Sequence, residues 1–233
     1  MRLFAIGDLH LSLFADKPMD MFGEAWRGHA ARLESAWRES VAEDDWVLLP
    51  GDISWAMRLE EALPDLLFLA ALPGKKLLLR GNHDYWWNSR AKLVSMLPPD
   101  MRLLQNDCLD IGGVTVCGTR GWTCPGAAGF SAADEKIFQR ERIRLELSLK
   151  AADTGAEKLV MMHFPPFNER RQQSAFTELI EAYGVKTVIY AHLHGKAHRQ
   201  AFEGERNGVT YRLVAGDYLG FRPKQILPQE SRG

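Results

Sequence analysis

Five short apolar segments, each followed at once by a turn that carries Asp, Asn or His, constrain this fold more than any other feature of the chain. The segments are residues 2–6, 46–49, 76–79, 159–162 and 187–190. Their length and their content of Leu, Val and Ile are typical of buried β-strands. We therefore expect five strands whose carboxyl ends open into polar loops.

Helical patterns separate these strands. Residues 22–41, 55–72 and 132–151 carry apolar side chains at intervals near one helical turn. Pro64 predicts a kink or a break in the second stretch. The third stretch mixes positive and negative side chains, which indicates a solvated helix face rather than a nucleic-acid patch.

The middle of the chain changes to a β pattern. Residues 109–118 alternate around Gly112 and Gly113, which predicts a β-hairpin. Residues 209–214 predict one more strand. Strands that alternate with helices, with a hairpin between them, indicate a mixed α/β sandwich rather than a purely parallel doubly wound sheet. We expect one domain over residues 1–233, since no linker or repeat divides the chain.

Composition excludes several classes of protein. The chain is 46% apolar, with 29 Lys and Arg against 30 Asp and Glu, so it has no general attraction for nucleic acid or anionic lipid. Its longest apolar run, residues 66–72, is far shorter than the roughly 20 residues of a membrane-spanning helix. No secretory signal pattern opens the sequence, and the three cysteines lack metal-type spacing. We expect a cytoplasmic protein with reduced thiols.

The polar residues at the strand ends indicate a metal site. Five of the seven histidines lie there, and ligands of open α/β sheets bind beyond the carboxyl ends of strands. Asp8 and His10 are two residues apart, as are His192 and His194, so in extended segments each pair points the same way. Asp and His side chains in this pattern favour Mn, Fe or Zn over Ca or Mg.

In order, these motifs resemble the calcineurin-like metallophosphoesterase superfamily. They are Asp-x-His at 8–10, Gly-Asp at 51–52, Gly-Asn-His-Asp at 81–84, His163, and His-x-His at 192–194. The stretches at 51–55 and 81–87 are similar to small bacterial phosphohydrolases of that superfamily. The resemblance implies an α/β fold in which a β-sandwich of two mixed sheets is flanked by helices, in four layers.

The resemblance also implies a role for each motif residue. It implies that Asp8, His10 and His194 hold one divalent metal ion and that Asp52 bridges two such ions. It implies that Asn82, His163 and His192 hold the second ion. His83 corresponds to a non-ligand histidine that faces the phosphate and protonates the leaving oxygen. Manganese is the first expectation for both ions, with iron or zinc as alternatives.

These roles fit the chemistry of phosphate-ester hydrolysis. Two divalent ions and two carboxylates together have a net charge of +2, or of +1 when a bridging hydroxide is bound. This positive charge attracts a phosphate ester. In-line attack by a metal-bridging hydroxide is therefore expected, and a general acid at His83 adds about 10²–10⁴-fold. The expected partner is a small phosphate ester. Nuclease activity is disfavoured by the neutral net charge but stays open.

The chain departs from the superfamily's protein phosphatases at two places. Those enzymes follow Gly-Asp with a further Asp and Arg, where this chain has Trp55 and Ala56. The missing arginine favours phosphodiesters slightly over phosphomonoesters. It also leaves the group that orients His83 unidentified, with Asp84 merely adjacent. The second place, Ala191, stands where the superfamily commonly has Gly.

Some residues near the motifs have weaker assignments. Arg120 and Trp86 are substrate-binding candidates, the first for a phosphate oxygen and the second for stacking. Gly216-Asp217 repeats the Gly-Asp motif, but we interpret it as a strand exit because no ligand position is missing. The alternatives to a diesterase are a phosphomonoesterase acting on a small molecule and a non-catalytic metal-binding interaction module.

Overall fold

Two β-sheets form the centre of the computed structural model, which describes residues 1–14, 19–153 and 155–227. The strands of the first sheet are β1 (Leu3–Ala5), β2 (Trp46–Pro50), β3 (Lys75–Leu79), β4 (Met101–Leu103) and β11 (Lys224–Leu227). Their spatial order is β11-β1-β2-β3-β4. Strands β1 to β4 are parallel, and β11 pairs antiparallel with β1 at the edge.

The second sheet contains six strands in the order β5-β6-β7-β8-β10-β9. They are β5 (Cys108–Ile111), β6 (Val114–Thr119), β7 (Glu157–Met162), β8 (Thr187–Tyr190), β9 (Gly204–Arg206) and β10 (Val209–Leu213). The inner four are parallel, and the edge strands β5 and β9 are antiparallel to their neighbours. Both sheets are therefore mixed, as the sequence predicts.

Helices cover the outer face of each sheet. They are α1 (His29–Ser40), α2 (Leu59–Ala70), α3 (Arg90–Met96), α4 (Ala132–Lys150) and α5 (Ala175–Ala182). Helices α1 and α2 share an apolar cluster with the first sheet, and α4 and α5 share another with the second. A third cluster fills the space between the sheets. The expected four-layer α/β sandwich is confirmed.

The strand pattern explains how one segment serves two of these clusters. Phe4 packs in the outer cluster of the first sheet, whereas Leu3 and Ala5 pack between the sheets. Successive side chains of a strand point to opposite faces, so a strand buried on both faces is apolar throughout. This double burial accounts for the continuous apolar runs in the sequence.

Two helix predictions need correction. Helix α1 begins at His29 rather than at residue 22, because Gly23 and Gly28 have φ angles of 123° and 58° and interrupt the helical pattern. Helix α2 begins at Leu59 and runs through Pro64 without dividing. The predicted hairpin is confirmed, with β5 and β6 joined through Gly112 and Gly113. No helix in the described ranges is both long and apolar enough to cross a membrane.

Candidate metal centre

The predicted metal ligands lie on loops at the carboxyl ends of β1, β2, β3, β7 and β8. The first three strands belong to one sheet and the last two to the other. The loops are joined by backbone hydrogen bonds, in which Asp8 and His10 donate their N–H groups to Gly51 and Asp52 at 3.0 and 2.9 Å. The predicted residues of both sheets therefore meet at one edge of the sandwich.

The backbone of this edge is not extended. Asp8, His10, Asp52 and His192 have φ angles of 53°, 42°, 52° and 72°. The prediction that the Asp8–His10 and His192–His194 pairs converge through extended strand geometry is wrong, since a left-handed residue turns the chain in each loop. Non-glycine residues in this region cost about 1–3 kcal/mol each and cluster at functional sites.

One group of side chains consists of Asp8, His10 and His194. One ligand atom from each lies within 4.8 Å of the others, and Nε2 of His194 is 3.8 Å from Oδ1 of Asp8. On the opposite side of its ring, His194 donates from Nδ1 to Oδ1 of Asp217 at 3.1 Å. This hydrogen bond leaves Nε2 as the atom facing Asp8, which is the arrangement that orients metal-binding histidines.

Asp217 is the functional residue that the sequence interpretation missed. Its second oxygen accepts the backbone N–H of Gly195 at 2.9 Å, and it also lies 3.2 Å from Nε2 of His198. The Gly-Asp repeat at 216–217 was the available signal. It lies in the turn after β10, as interpreted, but the contact of Asp217 with His194 was not predicted. Asp217 fills no ligand position but holds the ring of His194.

A second group consists of Asn82, His163 and His192. Nδ1 of His163 lies 2.9 Å from the carbonyl oxygen of Pro50, which can only accept, so this nitrogen carries the proton. The Nε2 lone pair of His163 then faces Oδ1 of Asn82 at 2.6 Å and Nδ1 of His192 at 3.3 Å. Nε2 of His163 and Oδ1 of Asn82 are thus two acceptors turned toward each other, which fits a cation between them.

Asp52 lies between the two groups. Its Oδ2 is 3.5 Å from Nε2 of His163 and 3.7 Å from Nε2 of His10, while its Oδ1 accepts the backbone N–H of His83 at 2.8 Å. Within the described residues, Oδ2 of Asp52 and Oδ1 of Asp8 are buried without a hydrogen-bond donor. Buried carboxylate oxygens without donors are costly unless a cation compensates them, so the residues present fit divalent metal ions.

Burial controls the protonation of these groups. It raises the pKa of Asp8 and of Asp52, because it penalises the charged carboxylates. It lowers the pKa of His10 and of His192, and that of His163 to about 3, so these rings are neutral and able to bind a metal.

His194 behaves differently from the other three rings. Burial also acts to lower its pKa, but the hydrogen bond to Asp217 and the charge of Asp8 outweigh burial and raise the pKa to about 9. In the absence of a cation, His194 therefore carries the positive charge that faces the carboxylates. If His194 held a metal ion, it would do so without this proton, because a metal ligand must be deprotonated.

Asp84 shapes the loop that carries Asp52. Its buried carboxylate accepts the N–H groups of Asp52, Ile53 and Gly81 at 2.9, 2.8 and 2.7 Å and that of Ser54 at 3.3 Å. None of these hydrogen bonds reaches the ring of His83. Burial and the charge of Asp52 raise the pKa of Asp84 to about 6, so it is ionised at neutral pH.

His83 stands beside the metal-ligand groups without belonging to either. Its ring packs on Trp55, with 4.6 Å between centroids, and lies 5.7 Å from the ring of His10. In the described parts of the chain, Nδ1 of His83 has no hydrogen-bond partner. The ring therefore packs on Trp55, and no described carboxylate accepts a hydrogen bond from its Nδ1.

A cleft of about 390 Å³ opens over these residues. Its floor contains His10, Asp52, His83, His192 and His194, and its walls are apolar. The wall residues are Met19, Phe22, Trp26 and Trp55. Phe22 is 61% exposed and its ring is parallel to that of Trp55 within 10°. The walls therefore offer flat apolar surface to an organic group that enters the cleft.

The two substrate-binding candidates lie elsewhere. Trp86 is 1% exposed and donates from Nε1 to Asp84 at 2.9 Å, so it supports the loop and cannot stack on a substrate in this conformation. Arg120 lies 3.3 Å from the carboxylate of Glu141 and lines a different cavity. Trp26 and Trp55, rather than Trp86, are the tryptophans that line the cleft.

Comparisons with known proteins agree with this fold. The model of the calcineurin-like phosphoesterase family matches residues 1–196. A search of curated proteins found no match. A phosphopantetheinyl hydrolase from Mycobacterium tuberculosis is similar in structure, with 17% identity over 100% of this chain and 98% of that chain and a TM-score of 0.59.

Two further solved structures have the same fold. The protein TT1561 of Thermus thermophilus is 12% identical over 97% of this chain and 98% of that chain, with a TM-score of 0.55. A protein of unknown function from Aquifex aeolicus, AQ665, is 13% identical over 96% of this chain and 95% of that chain, with a TM-score of 0.52.

The match to the family model covers most of the chain, and the fold and the clustered ligands agree with it. The chain belongs to the calcineurin-like phosphoesterase family. It is a hydrolase that acts on phosphoester bonds, in a family that depends on divalent metal ions.

Proposed function

We propose that this protein hydrolyses small phosphate esters by in-line attack of water, with two divalent metal ions, and that it slightly prefers diesters. The first ion would be held by Asp8, His10 and His194, the second by Asn82, His163 and His192, and Asp52 would contact both. When bound, the ions supply positive charge to the phosphate oxygens and make a water molecule more acidic. Manganese is the proposed metal, with iron or zinc as alternatives.

The observation that carries this proposal is the place of Asp52 between two sets of ligand atoms. Its Oδ2 lies within 3.7 Å of a histidine nitrogen from each set, and it has no hydrogen-bond donor in the described ranges. Oδ1 of Asp8 is unpaired in the same way. Two buried carboxylates face three neutral histidines and the protonated His194, and two cations would balance their charge once His194 gives up its proton.

His83 is the proposed general acid. Its backbone N–H is held by Oδ1 of Asp52 at 2.8 Å, which ties its position to that of the proposed bridging carboxylate. Its ring lines the cleft and packs on Trp55. A histidine at this place would donate a proton to the leaving oxygen, and such catalysis contributes about 10²–10⁴-fold.

The cleft lining supports the preference for diesters. No Lys or Arg stands among the described residues that line the cleft. A monoester dianion gains more from such a cation than a diester, which carries one charge. A diester also places a second organic group against the cleft walls, where Trp55 and Phe22 offer apolar surface.

The alternative is a phosphomonoesterase. Turnover of bis-p-nitrophenyl phosphate and of p-nitrophenyl phosphate, both measured with Mn²⁺, separates the two functions. We expect the diester to react at least as fast as the monoester. A monoester rate ten times higher would reverse the assignment.

His83→Ala and Asp52→Asn together test whether the protein is a catalyst of this type. We expect His83→Ala to lose about 10²–10⁴ in turnover while elemental analysis still finds about two metal ions per chain. Asp52→Asn is expected to lose both turnover and metal. Unchanged turnover in His83→Ala would remove this residue from the mechanism, and an inactive metal-loaded wild type would favour a non-catalytic metal-binding interaction module.

We also propose that residues 1–233 form one domain and that the protein is cytoplasmic. Residues 15–18, 154 and 228–233 lie outside the described ranges. The proposal of a reducing compartment rests on the odd number of cysteines, three, and on their lack of metal-type spacing.

A further inference from the structure

A second cavity, of about 100 Å³, lies beside the loops that carry the metal ligands. Arg80 lines it from the end of β3, Arg120 from the end of β6, and Glu141 and Arg144 from α4. This cavity shares no described lining residue with the 390 Å³ cleft above the predicted metal ligands. We call it the arginine cavity.

Positive charge exceeds negative charge in the arginine cavity. Among its described lining residues, three arginines face one carboxylate, that of Glu141, which is 1% exposed. Oε1 of Glu141 is 2.7 Å from Arg144 and 3.3 Å from Arg120, and Oε2 accepts the hydroxyl of Thr119 at 2.7 Å. Glu141 is therefore fully used, and two positive charges stay without a partner charge in the cavity.

Hydrogen-bond donors are unsatisfied there as well. Nε of Arg80 and Nε of Arg120 are both buried, and neither has an acceptor in the part of the chain that the structure describes. The guanidinium group of Arg120 also lies 4.8 Å from the ring centroid of Trp122, which holds its plane. Buried N–H groups in native proteins normally have partners, so two such groups at one cavity indicate a missing acceptor.

We propose that the arginine cavity binds a tetrahedral oxyanion of the phosphate or sulfate class. Arg80 and Arg120 would bind it, with Arg144 at the more exposed side. The planar guanidinium fork matches the oxygens of such an anion. The cavity, at about 100 Å³, is large enough for a small anion of this kind.

The arginine cavity is connected to the metal-ligand loops by short paths. Arg80 directly precedes the loop of Asn82 and His83. The carbonyl group of Arg120 accepts the N–H groups of His163 and Phe164 at 3.2 and 2.9 Å. The anion is thus either a second charged group of the substrate or a free anion that affects turnover.

Calorimetric titration with sodium sulfate tests for the site directly. It is performed at constant ionic strength, because exposed charges are screened by salt. Asp52→Asn provides the background, since it removes sulfate binding by metals. We expect Arg80→Gln or Arg120→Gln in that background to weaken sulfate binding at least tenfold. Arg142→Gln is the matched control, because Arg142 lies on α4 next to Glu141, bonds to Gln139 and does not line the cavity.

A variant with the opposite effect covers the case in which the arginine variants fail to fold. Glu141→Gln keeps an acceptor for Thr119 but removes the negative charge, so sulfate should bind at least threefold more tightly. The proposal is overturned if sulfate binds Asp52→Asn no more tightly than it binds the double variants with Arg80→Gln or Arg120→Gln. It is also overturned if Arg142→Gln weakens sulfate binding equally, or if Glu141→Gln leaves the sulfate affinity unchanged. Because the background lacks a proposed metal ligand, these results are independent of the proposed catalytic function.

Kinetics with the metal-loaded enzyme separates the two sources of the anion. If the anion is a second charged group of the substrate, Arg80→Gln should raise the KM for adenosine 3′,5′-bisphosphate about tenfold and the KM for adenosine 5′-phosphate less than twofold. If the anion is instead a free anion that affects turnover, sulfate should change the kcat of the wild type on bis-p-nitrophenyl phosphate and should leave the kcat of Arg80→Gln unchanged. Either pattern supports the oxyanion site, and the absence of both, together with absent sulfate binding, overturns it.

Discussion

Asp84→Asn should destabilise the protein even when no metal is bound. The carboxylate of Asp84 is buried and accepts five N–H groups, two on Oδ2 and three on Oδ1. The amide of Asn can replace only one of these oxygens as an acceptor. In the better orientation its NH₂ group faces the N–H groups of Asp52 and Gly81, which then lose their acceptor.

The magnitude follows from these two donors. Each buried donor left without a partner costs about 1–3 kcal/mol, so the expected loss is about 4 kcal/mol. A chain of 233 residues has an unfolding entropy of about 0.5 kcal/mol/K at about 2.1 cal/mol/K per residue. The melting temperature should therefore fall by about 8 °C.

Differential scanning calorimetry in excess chelator measures this loss apart from any effect on metal binding. Asp110→Asn is the matched control. Asp110 is exposed, and the hydrogen bond that its carboxylate accepts from the N–H of Gly113, at 3.4 Å, can persist with an amide oxygen. The control should change stability by less than about 0.5 kcal/mol. If Asp84→Asn melts within 2 °C of wild type, the carboxylate does not hold the loop as argued.

Three further perturbations test the site and its surroundings. Asp217→Asn should weaken metal binding about 10–100-fold by calorimetry, because His194 loses its orienting carboxylate; unchanged affinity would contradict this role. Gly81→Ala should abolish metal binding in elemental analysis, since the new Cβ atom would lie 2.1 Å from Oδ1 of Asp52. Gly155→Ala is the control: its Cβ atom would have no described atom within 4 Å, so this variant should bind metal normally. Burial acts to raise the pKa of Asp45, but hydrogen bonds from Arg2 and Ala42 outweigh burial and lower it. The ionised carboxylate therefore stabilises the fold above its ordinary pKa of 3.8, and this stabilisation is lost as the pH falls. Asp45→Asn should therefore be less stable than wild type in urea unfolding at pH 7, with the gap narrowing below pH 4; a gap independent of pH would refute the linkage.

The sequence predicts the strands that are buried on both faces more completely than those at the edges. Strands β2, β3, β7 and β8 lie within the sheets, and their apolar runs predicted them within two residues. Strands β4, β9 and β11 escaped prediction because they have three or four residues and lie at sheet edges. Polar residues at such positions, as in Gly204–Arg206, give no strand pattern. Helix α5, with eight residues, was missed for the same reason of length.

The ligand types were predictable from the sequence, but the supporting contacts were not. Asp and His at strand ends indicate a metal centre because topology brings those ends together. The contact between His194 and Asp217 joins residues that are 23 positions apart through a loop and two strands, and no local pattern encodes it. The left-handed backbone of Asp8 and Asp52 was equally hidden, since neither residue type requires a positive φ.

The two proposed metal groups also bear on how the sandwich holds together at this edge. Each group takes ligands from both sheets: Asp8 and His10 of the first sheet meet His194 of the second, and Asn82 of the first meets His163 of the second. Without bound cations, two features of this edge are unfavourable: its two buried carboxylates and its left-handed backbone conformations. The hydrogen bonds that oppose this cost run between these same loops, since His192 donates its N–H to Asp8 at 2.8 Å and Asp84 accepts the N–H of Asp52. The fold therefore places two buried carboxylates and four left-handed residues where divalent cations would offset their cost. Metal binding should for this reason also stabilise the contact between the two sheets.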